Sequence, residues 1–496
     1  MTNPLYDALL APHAGSARVF LQLSDGSQVT YAAFVRLAAR YANAFVEFGL
    51  VPGDRVAAQV RKSHHALALY AACVQSGTVF LPLNTAYTAS EVSYFIEDSE
   101  AALFVCDGAA KDAPAAVAGT RPVTLNADGT GSLAETARTV SDKFATVART
   151  VHDLAAILYT SGTTGRSKGA MLTQNNLLSN CKTLKDCWRF TDTDVLLHAL
   201  PIFHTHGLFV ATNITLLAGG TMSFLPAFDV DDVLDRMGHA TVMMGVPTFY
   251  TRLLNDPRFT REKALHMRLF VSGSAPLPAD IHRRFESRTG HRILERYGMT
   301  ETNMNTSNPY DGDRRPGTVG FPLPGVELKI TDPATGRELP HGEIGQIEVR
   351  GENVFKGYWR MSEKTREELR EDGFFITGDL GLIDNRCYVQ IVGRSKDLII
   401  SGGYNIYPKE IELILDAQPG VLESAVIGVP HADFGESVLA VLVPRPGTLP
   451  DIDRIDEALR NTLARFKRPR RYEIVPRLPR NAMGKVQKNV LRAQFA

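Results

Sequence analysis

A chain of 496 residues with 44% hydrophobic content is long enough to bury several cores, and its length points to roughly three domain-sized units. Its 54 Lys and Arg balance 54 Asp and Glu, so no overall field draws it to nucleic acid or to an anionic membrane, and any anion it binds must meet a local site. The five cysteines (Cys73, Cys106, Cys181, Cys187 and Cys387) are odd in number and lack CxxC spacing, which argues against a disulfide framework and against structural zinc. The start "MTNPLYDALLAPHAG" has no charged region leading into a long apolar core, and no run is long enough to span a bilayer. The expectation is a cytoplasmic protein with no membrane and no nucleic-acid partner.

In chain order, apolar runs that read as strands alternate with segments of helical period. "RVAAQV" precedes "HHALALYAACVQSG", and "MRLFVS" precedes "PADIHRRFESRTG". Such alternation predicts mixed, mainly parallel sheets covered by helices, an α/β domain. The Ala-rich stretch 109–118 reads as a loop. From about Val326 the runs shorten and turns separate them, as in "VELKITD", "IGQIEVRG", "FFITGDLGLID" and "CYVQIVGR", which predicts a small antiparallel β subdomain over 326–394. After "GRSKD" the texture changes again, through "YPKEIELILDA", "ESAVIGV", "SVLAVLVP" and "IDEALRNTLARF". A large N-terminal domain over 1–394 and a small α+β C-terminal domain over 395–496 are expected.

The most informative stretch is "YTSGTTGRSKGAML", Tyr159 to Leu172, which follows a strand-like apolar run. Small residues there let backbone N–H groups and hydroxyls converge on phosphate oxygens, with Lys168 as a mobile cation. The loop differs from GxxxxGK[ST], because residue 169 is glycine, so a P-loop NTPase is a poor fit.

Together with "ERYGMTE" (295–301), "TGD" (377–379), "GRSKDLIISGGYNIYPKEIE" (393–412) and "PRNAMGKVQK" (479–488), this loop follows the order of motifs found in acyl-adenylate-forming enzymes. The sequence resembles that superfamily, and its acyl-CoA synthetases in particular, over essentially the whole chain. The resemblance implies ATP and CoA as co-substrates, Mg²⁺ as cofactor, and transfer of AMP to a carboxylate before thiol attack. It assigns Thr160, Ser161, Gly162, Thr163, Thr164 and Lys168 to the phosphates of ATP. Thr300 would contact the α-phosphate, and Glu301 would help hold Mg²⁺. Gly273, Ser274 and Ala275 of "SGSAPL", with Arg296, Tyr297 and Gly298, would form the AMP site, where a small-residue turn lets a flat ring approach backbone. Asp379 and Arg394 would bind the ribose.

Lys485 matches the lysine that enters the site during adenylation, as a point charge between carboxylate and α-phosphate. Lys396 matches a hinge about which the mobile C-terminal domain turns, carrying Gly402 and Gly403 to the CoA tunnel. The resemblance gives Lys488 no catalytic role. The basic run "RFKRPRRY" (465–472) reads either as a contact for the phosphates of CoA or as a solvated face. An exposed, mobile Lys485 is also a candidate for a protein lysine acetyltransferase, since acetylation removes its charge.

For the acid, "PIFHTHGLF" (201–209) and the helix bearing Arg283 are informative. His206 and Arg283 offer groups suited to a second carboxylate, and hence a short dicarboxylic acid. The strings "HALPIFHTHGLF" and "ERYGMTETNMNTSNPYDGDRRPGTVG" resemble those of malonyl-CoA synthetases, which implies malonate and also methylmalonate. A structural role for His204, His206 and Arg283 stays open, as does a medium-chain or aryl-acid CoA ligase or a luciferase-like adenylating oxygenase. A metal site at His204 and His206 lacks an evident third ligand.

Overall fold

The computed structural model describes residues 2–108, 119–160, 167–401, 404–431, 434–481 and 484–496, with the backbone alone at 404–405. The Ala-rich stretch 109–118 therefore lies outside the described residues. The chain divides into two compact units, one of 1–327 and 350–375, the other of 328–349 and 376–496.

The first unit carries two sheets. In the six-stranded sheet the order is Arg121–Thr124, Leu103–Cys106, Arg55–Gln59, Val79–Pro82, Leu154–Thr160 and Lys168–Thr173. All neighbours are parallel except the last pair, which is an antiparallel hairpin. The nine-stranded sheet runs parallel through its centre, Leu294–Met299, Leu269–Ser272, Val242–Gly245, Val195–His198, Thr221–Phe224 and Val19–Leu23, with antiparallel strands at both edges. This is the α/β pattern expected of alternating apolar runs and helical segments. The central strands are buried on both faces, which is why they read as continuous rather than alternating apolar runs.

Local signals fix the joints. Ser63 accepts the N–H of Ala66 and starts the helix His64–Ser76, and Gly77, at φ 70°, ends it in the left-handed region. Between the nine-stranded sheet and its helices lies a core that includes Met243, Phe259, Phe270, Phe285 and Ile293. The carboxyl ends of the strands of such sheets are where ligands bind.

In the second unit a four-stranded sheet orders Val326–Thr331, Gly345–Gly351, Phe375–Ile383 and Val389–Arg394, the first three strands extending into the first unit. A five-stranded sheet is centred on the long hairpin Val421–His431 and Gly435–Pro444. Period-two alternation sends Val426, Val438, Ala440 and Leu442 into one core, beneath the helices Pro408–Asp416 and Ile452–Thr462. Ala425, Ile427, Val429, Leu439, Val441 and Val443 face the other, against Leu478 and Leu491.

Asp416 closes the helix Pro408–Asp416, at the end where the helix dipole disfavours an anion. Burial pushes its pKa up to about 6, against opposing pulls from Lys409 and from the Ser424 hydroxyl, which donates to it at 2.7 Å. A carboxyl raised from its ordinary 3.8 stabilises the fold while protonated, and that contribution is lost as the pH rises through 6. Asp416→Asn keeps an acceptor for Ser424. It is expected to raise the urea-unfolding free energy by about 1–2 kcal/mol near pH 7.5 and by much less at about pH 4.5.

Candidate active site

Residues 161–166 lie outside the described residues, so the roles expected of Ser161, Gly162, Thr163 and Thr164 have no structural counterpart here. The strands on either side are clear. Thr160 ends one strand of the hairpin and its hydroxyl donates to Glu301 Oε1 at 3.4 Å. Lys168 begins the other. Where the sequence suggested a mobile cation, the ammonium is buried and held by Glu368 at 3.1 and 3.2 Å, and it lies 4.0 Å above the Tyr358 ring.

Tyr358 joins this pair to Glu301, its hydroxyl lying 2.6 Å from Glu368 Oε2 and 3.1 Å from Glu301 Oε1. Burial pushes the phenol pKa far up, and the nearby Glu301 adds to the shift, so the phenol stays a proton donor. Burial alone would raise the Glu368 pKa, but the Tyr358 hydrogen bond, Lys364 and Lys168 outweigh it and keep the carboxyl below its ordinary value. Tyr358 and Glu368 carried no signal in the sequence. They lie about two hundred residues from Lys168, in the segment 350–375 that rejoins the first unit.

"ERYGMTE" forms a strand, Leu294–Met299, and the turn into the antiparallel strand Asn303–Ser307. Glu301 thus sits in a hairpin turn, buried, and Thr300 lies beside it half-buried. A Cβ at Gly298 would collide with the Asn303 carbonyl, so only glycine fits this bulge. Arg296 points into the interior, 3% exposed, and a Cβ at Gly273 would overlap its guanidinium. Burial pulls the Arg296 pKa down to about 9, which leaves it charged at neutral pH. Its Nε and Nη2 have no hydrogen-bond partner among the described residues.

His206, 1% exposed, begins a wide helical turn of π geometry, His206–Thr212. Burial, then the nearby charge of Arg296, holds its pKa well below 6.5, so the ring is neutral. Ser274, at φ 69°, lies with Oγ 3.3 Å from His206 Nδ1, while Nε2 has no partner among the described residues. A proton donated by Ser274 to Nδ1 leaves Nε2 as an N–H donor. In that tautomer Arg296 and His206 together present buried donors with no acceptor among the described residues, the chemistry that a carboxylate satisfies.

The expectation for Arg283 fares differently. It is exposed on the helix Ala279–Thr289, whose inward face is Ile281, His282, Phe285 and Thr289, and it makes no ion pair among the described residues. Helical period, not distance from the motif, decides this: residue 283 falls on the solvent side while 282 and 285 face the core. "SGSAPL" is the strand-to-helix turn expected, with Gly273 buried, Ala275 half-buried and Tyr297 buried nearby in sequence on the next strand.

Within the second unit, Asp379 and Arg394 face each other across paired strands and form an ion pair at 2.7 Å. Ser395–Asp397, containing Lys396, is a single turn of 3₁₀ helix, tied to the C-terminal helix by Asp397 and Arg492 at 2.8 Å. Lys485 lies in a tight turn closed by hydrogen bonds with Asn481. The residue's surface is exposed, but its ammonium end is crowded: burial lowers its pKa to about 8, Arg394 and Lys396 add to the shift, and Asp379 and Asp397 oppose it. Lys488 pairs with the buried Glu412 at 2.6 Å, a structural role. In the basic run Lys467 is engaged by Glu410 at 2.8 Å. Gly402 and Gly403 lie outside the described residues.

Among the described residues no group of three or more His, Cys, Asp or Glu could hold a metal ion. An ion bound at Glu301 would draw its remaining ligands from phosphate oxygens and water, as Mg²⁺ does in nucleotide sites. No helix among them is long and apolar enough to cross a membrane.

Comparison with known proteins gives the family. Residues 11–359 match the model for AMP-binding enzymes and residues 410–485 that for the AMP-binding enzyme C-terminal domain. The chain belongs to the AMP-binding enzyme family. It is 37% identical to a feruloyl-CoA synthase from an Amycolatopsis species over 99% of this chain and 98% of that protein. It is 36% identical to the malonate–CoA ligase of Arabidopsis thaliana over 90% of this chain and 78% of that protein. The crystal structure of ATP-bound MatB from Rhodopseudomonas palustris superposes with a TM-score of 0.96 at 60% identity, covering 99% of this chain and 98% of that one.

If adenylation needs Lys485 charged, its rate falls as the ammonium deprotonates. kcat/KM for pyrophosphate release without CoA is expected to decline as the pH rises through about 8, and Lys485→Arg is expected to move that decline upward. An unchanged descending limb in Lys485→Arg would assign the titration to another group.

Proposed function

We propose that this AMP-binding enzyme is an acid–thiol ligase that converts malonate, and with it methylmalonate, to the CoA thioester. One malonate carboxylate attacks the α-phosphorus of ATP and pyrophosphate leaves. The thiol of CoA then attacks the acyl carbon and AMP leaves. Neither step needs a side-chain nucleophile, so the protein's work is to position the reactants and offset charge. Lys168 serves the phosphates. Glu301 would hold Mg²⁺, which when bound would supply charge neutralisation on the phosphate oxygens. Thr300 bonds the α-phosphate, Asp379 and Arg394 take the ribose, and the turn at Gly273, Ser274 and Ala275 with Tyr297 and Gly298 takes adenine.

The relatives' names divide between an aromatic acid and malonate. What supports malonate is the buried Arg296 beside neutral His206, both with ring or guanidinium nitrogens unsatisfied among the described residues. An aryl group there would leave the charge desolvated and unpaired, whereas a distal carboxylate accepts from both. This reading gives Arg296 the substrate role first expected of Arg283.

Arg296→Met keeps the volume and removes the charge. With malonate it is expected to lose about 2–5 kcal/mol in kcat/KM, and with acetate far less, while thermal stability holds or rises because no partner is orphaned. Arg283→Ala is expected to leave both acids unchanged. Pyrophosphate release with malonate, methylmalonate, acetate and ferulate, with and without CoA, measures all of this; wild-type preference for ferulate would establish the aryl-acid reading instead.

The two half-reactions make different demands on the C-terminal domain, taken as 395–496 turning about Lys396. Lys485 serves adenylation, and Gly402 and Gly403 line the approach of CoA in the second step. Lys485→Ala is expected to abolish malonyl-AMP formation while supplied malonyl-AMP still reacts with CoA. Lys396→Pro fixes φ near −65°, so one half-reaction is expected to fail and the other to persist; proportional loss of both would refute the hinge. Surface exposure and a lowered pKa also make Lys485 a chemically suitable target for a lysine acetyltransferase.

A further inference from the structure

His198 ends the strand Val195–His198 in the middle of the nine-stranded sheet; it opens the string "HALPIFHTHGLF", and the resemblance assigns it no role. Its ring is buried, with a partner at each nitrogen. Lys62 Nζ is 2.9 Å from Nδ1 and also donates to the His198 carbonyl at 2.9 Å. On the opposite side Nε2 is 2.9 Å from the Gly207 carbonyl oxygen. A carbonyl only accepts and the lysine nitrogen donates, so the ring proton must sit on Nε2 and is given to Gly207. Lys62 thereby selects the tautomer, and the tautomer selects the contact to Gly207.

Lys62 follows the strand Arg55–Gln59 of the six-stranded sheet, so this chain of contacts joins the carboxyl ends of both sheets of the first unit. No carboxylate pairs with it among the described residues; its amine lies 4.5 Å over the Phe224 ring, and burial holds its pKa well below 10.5. A buried amine without a counter-charge is costly and carries no packing advantage over methionine. Its effect is spent on the turn beyond. Gly207 directly follows His206, and its carbonyl collects a second donor, the Thr212 hydroxyl, at 2.9 Å. A Cβ at Gly207 would strike the Pro201 carbonyl, so the backbone there has little room to shift. His206 is thus gripped from two sides, through Gly207 from His198 and through its own Nδ1 from Ser274.

We infer that Lys62 and His198 are positioning residues that orient His206 and so set the discrimination of dicarboxylic against monocarboxylic acids. The inference rests on the malonate reading above and adds the device that enforces it. Neither residue touches substrate; each acts through the turn.

The test uses Lys62→Met, His198→Leu and His198→Gln, the last because its amide nitrogen can stand where Nε2 stood and donate to Gly207. Pyrophosphate release is measured with malonate and with acetate, with KM and kcat separated and the KM for ATP recorded. Lys62→Met and His198→Leu are expected to raise the malonate KM on the order of tenfold, with a much smaller change in kcat, in the ATP KM and in the acetate KM. His198→Gln is expected to restore most of the loss. In the wild-type enzyme, ¹⁵N-histidine NMR is expected to show His198 protonated at Nε2, with its signal identified by its absence from His198→Gln. An Nδ1-protonated ring, or an unchanged malonate-to-acetate ratio in Lys62→Met, overturns the inference. A wild-type enzyme without preference for malonate over acetate overturns instead the reading beneath it, so the two failures are distinguishable even where a variant folds poorly.

Discussion

A guanidinium buried with no carboxylate partner among the described residues governs the first unit. Arg296 sits in the interior with Nε and Nη2 unpartnered among the described residues, against a glycine that alone leaves it room. Its surroundings follow from that charge. His206 is held neutral, which avoids a second buried cation, and Ser274 adopts a left-handed backbone conformation that sets its hydroxyl against the ring. The wide turn at His206–Thr212 and the bulge at Gly298 are the backbone adjustments that aim these groups.

A chain with no net charge must meet anions by concentrating donors locally, and the structure does so by returning to the same place from distant parts of the sequence. The chain leaves the first unit at 327 and rejoins it over 350–375. That return brings Tyr358 and Glu368 to Lys168 and Glu301. Lys168 and Lys364 offset Glu368, and the phenol stands between the two carboxylates as a neutral donor. Such a network keeps a cation and an acid close together in a buried setting without neutralising either by proton transfer.

Pairs of like residues show how surroundings, not identity, assign a role. Lys485 and Lys488 are three apart; one has a lowered pKa in a crowded position with no ion pair among the described residues, and the other is spent on buried Glu412. Arg283 stands outside the motifs and Arg296 within one; the first faces solvent and the second faces the interior. The second unit, with two cores split by strand alternation, gives Asp379, Arg394 and Lys485 a common frame.

By itself the sequence determined the fold class and the family. Both rest on short-range patterns: apolar periodicity in "RVAAQV" and "MRLFVS" yields the strands observed, and "ERYGMTE" forms a strand and the turn that follows it. Tertiary structure alone decided which cation is buried. Arg296, read into the AMP site, and Arg283, read as the partner of a second carboxylate, carried no sign of their burial in sequence, because a strand's inward side and a helix's outward side depend on what packs against them. It also decided the company of Lys168, since Glu368 lies two hundred residues away, and it joined Lys62 to His198 across two sheets. Contacts of such separation leave no trace in spacing; they exist only once the sheets have packed and the chain has returned.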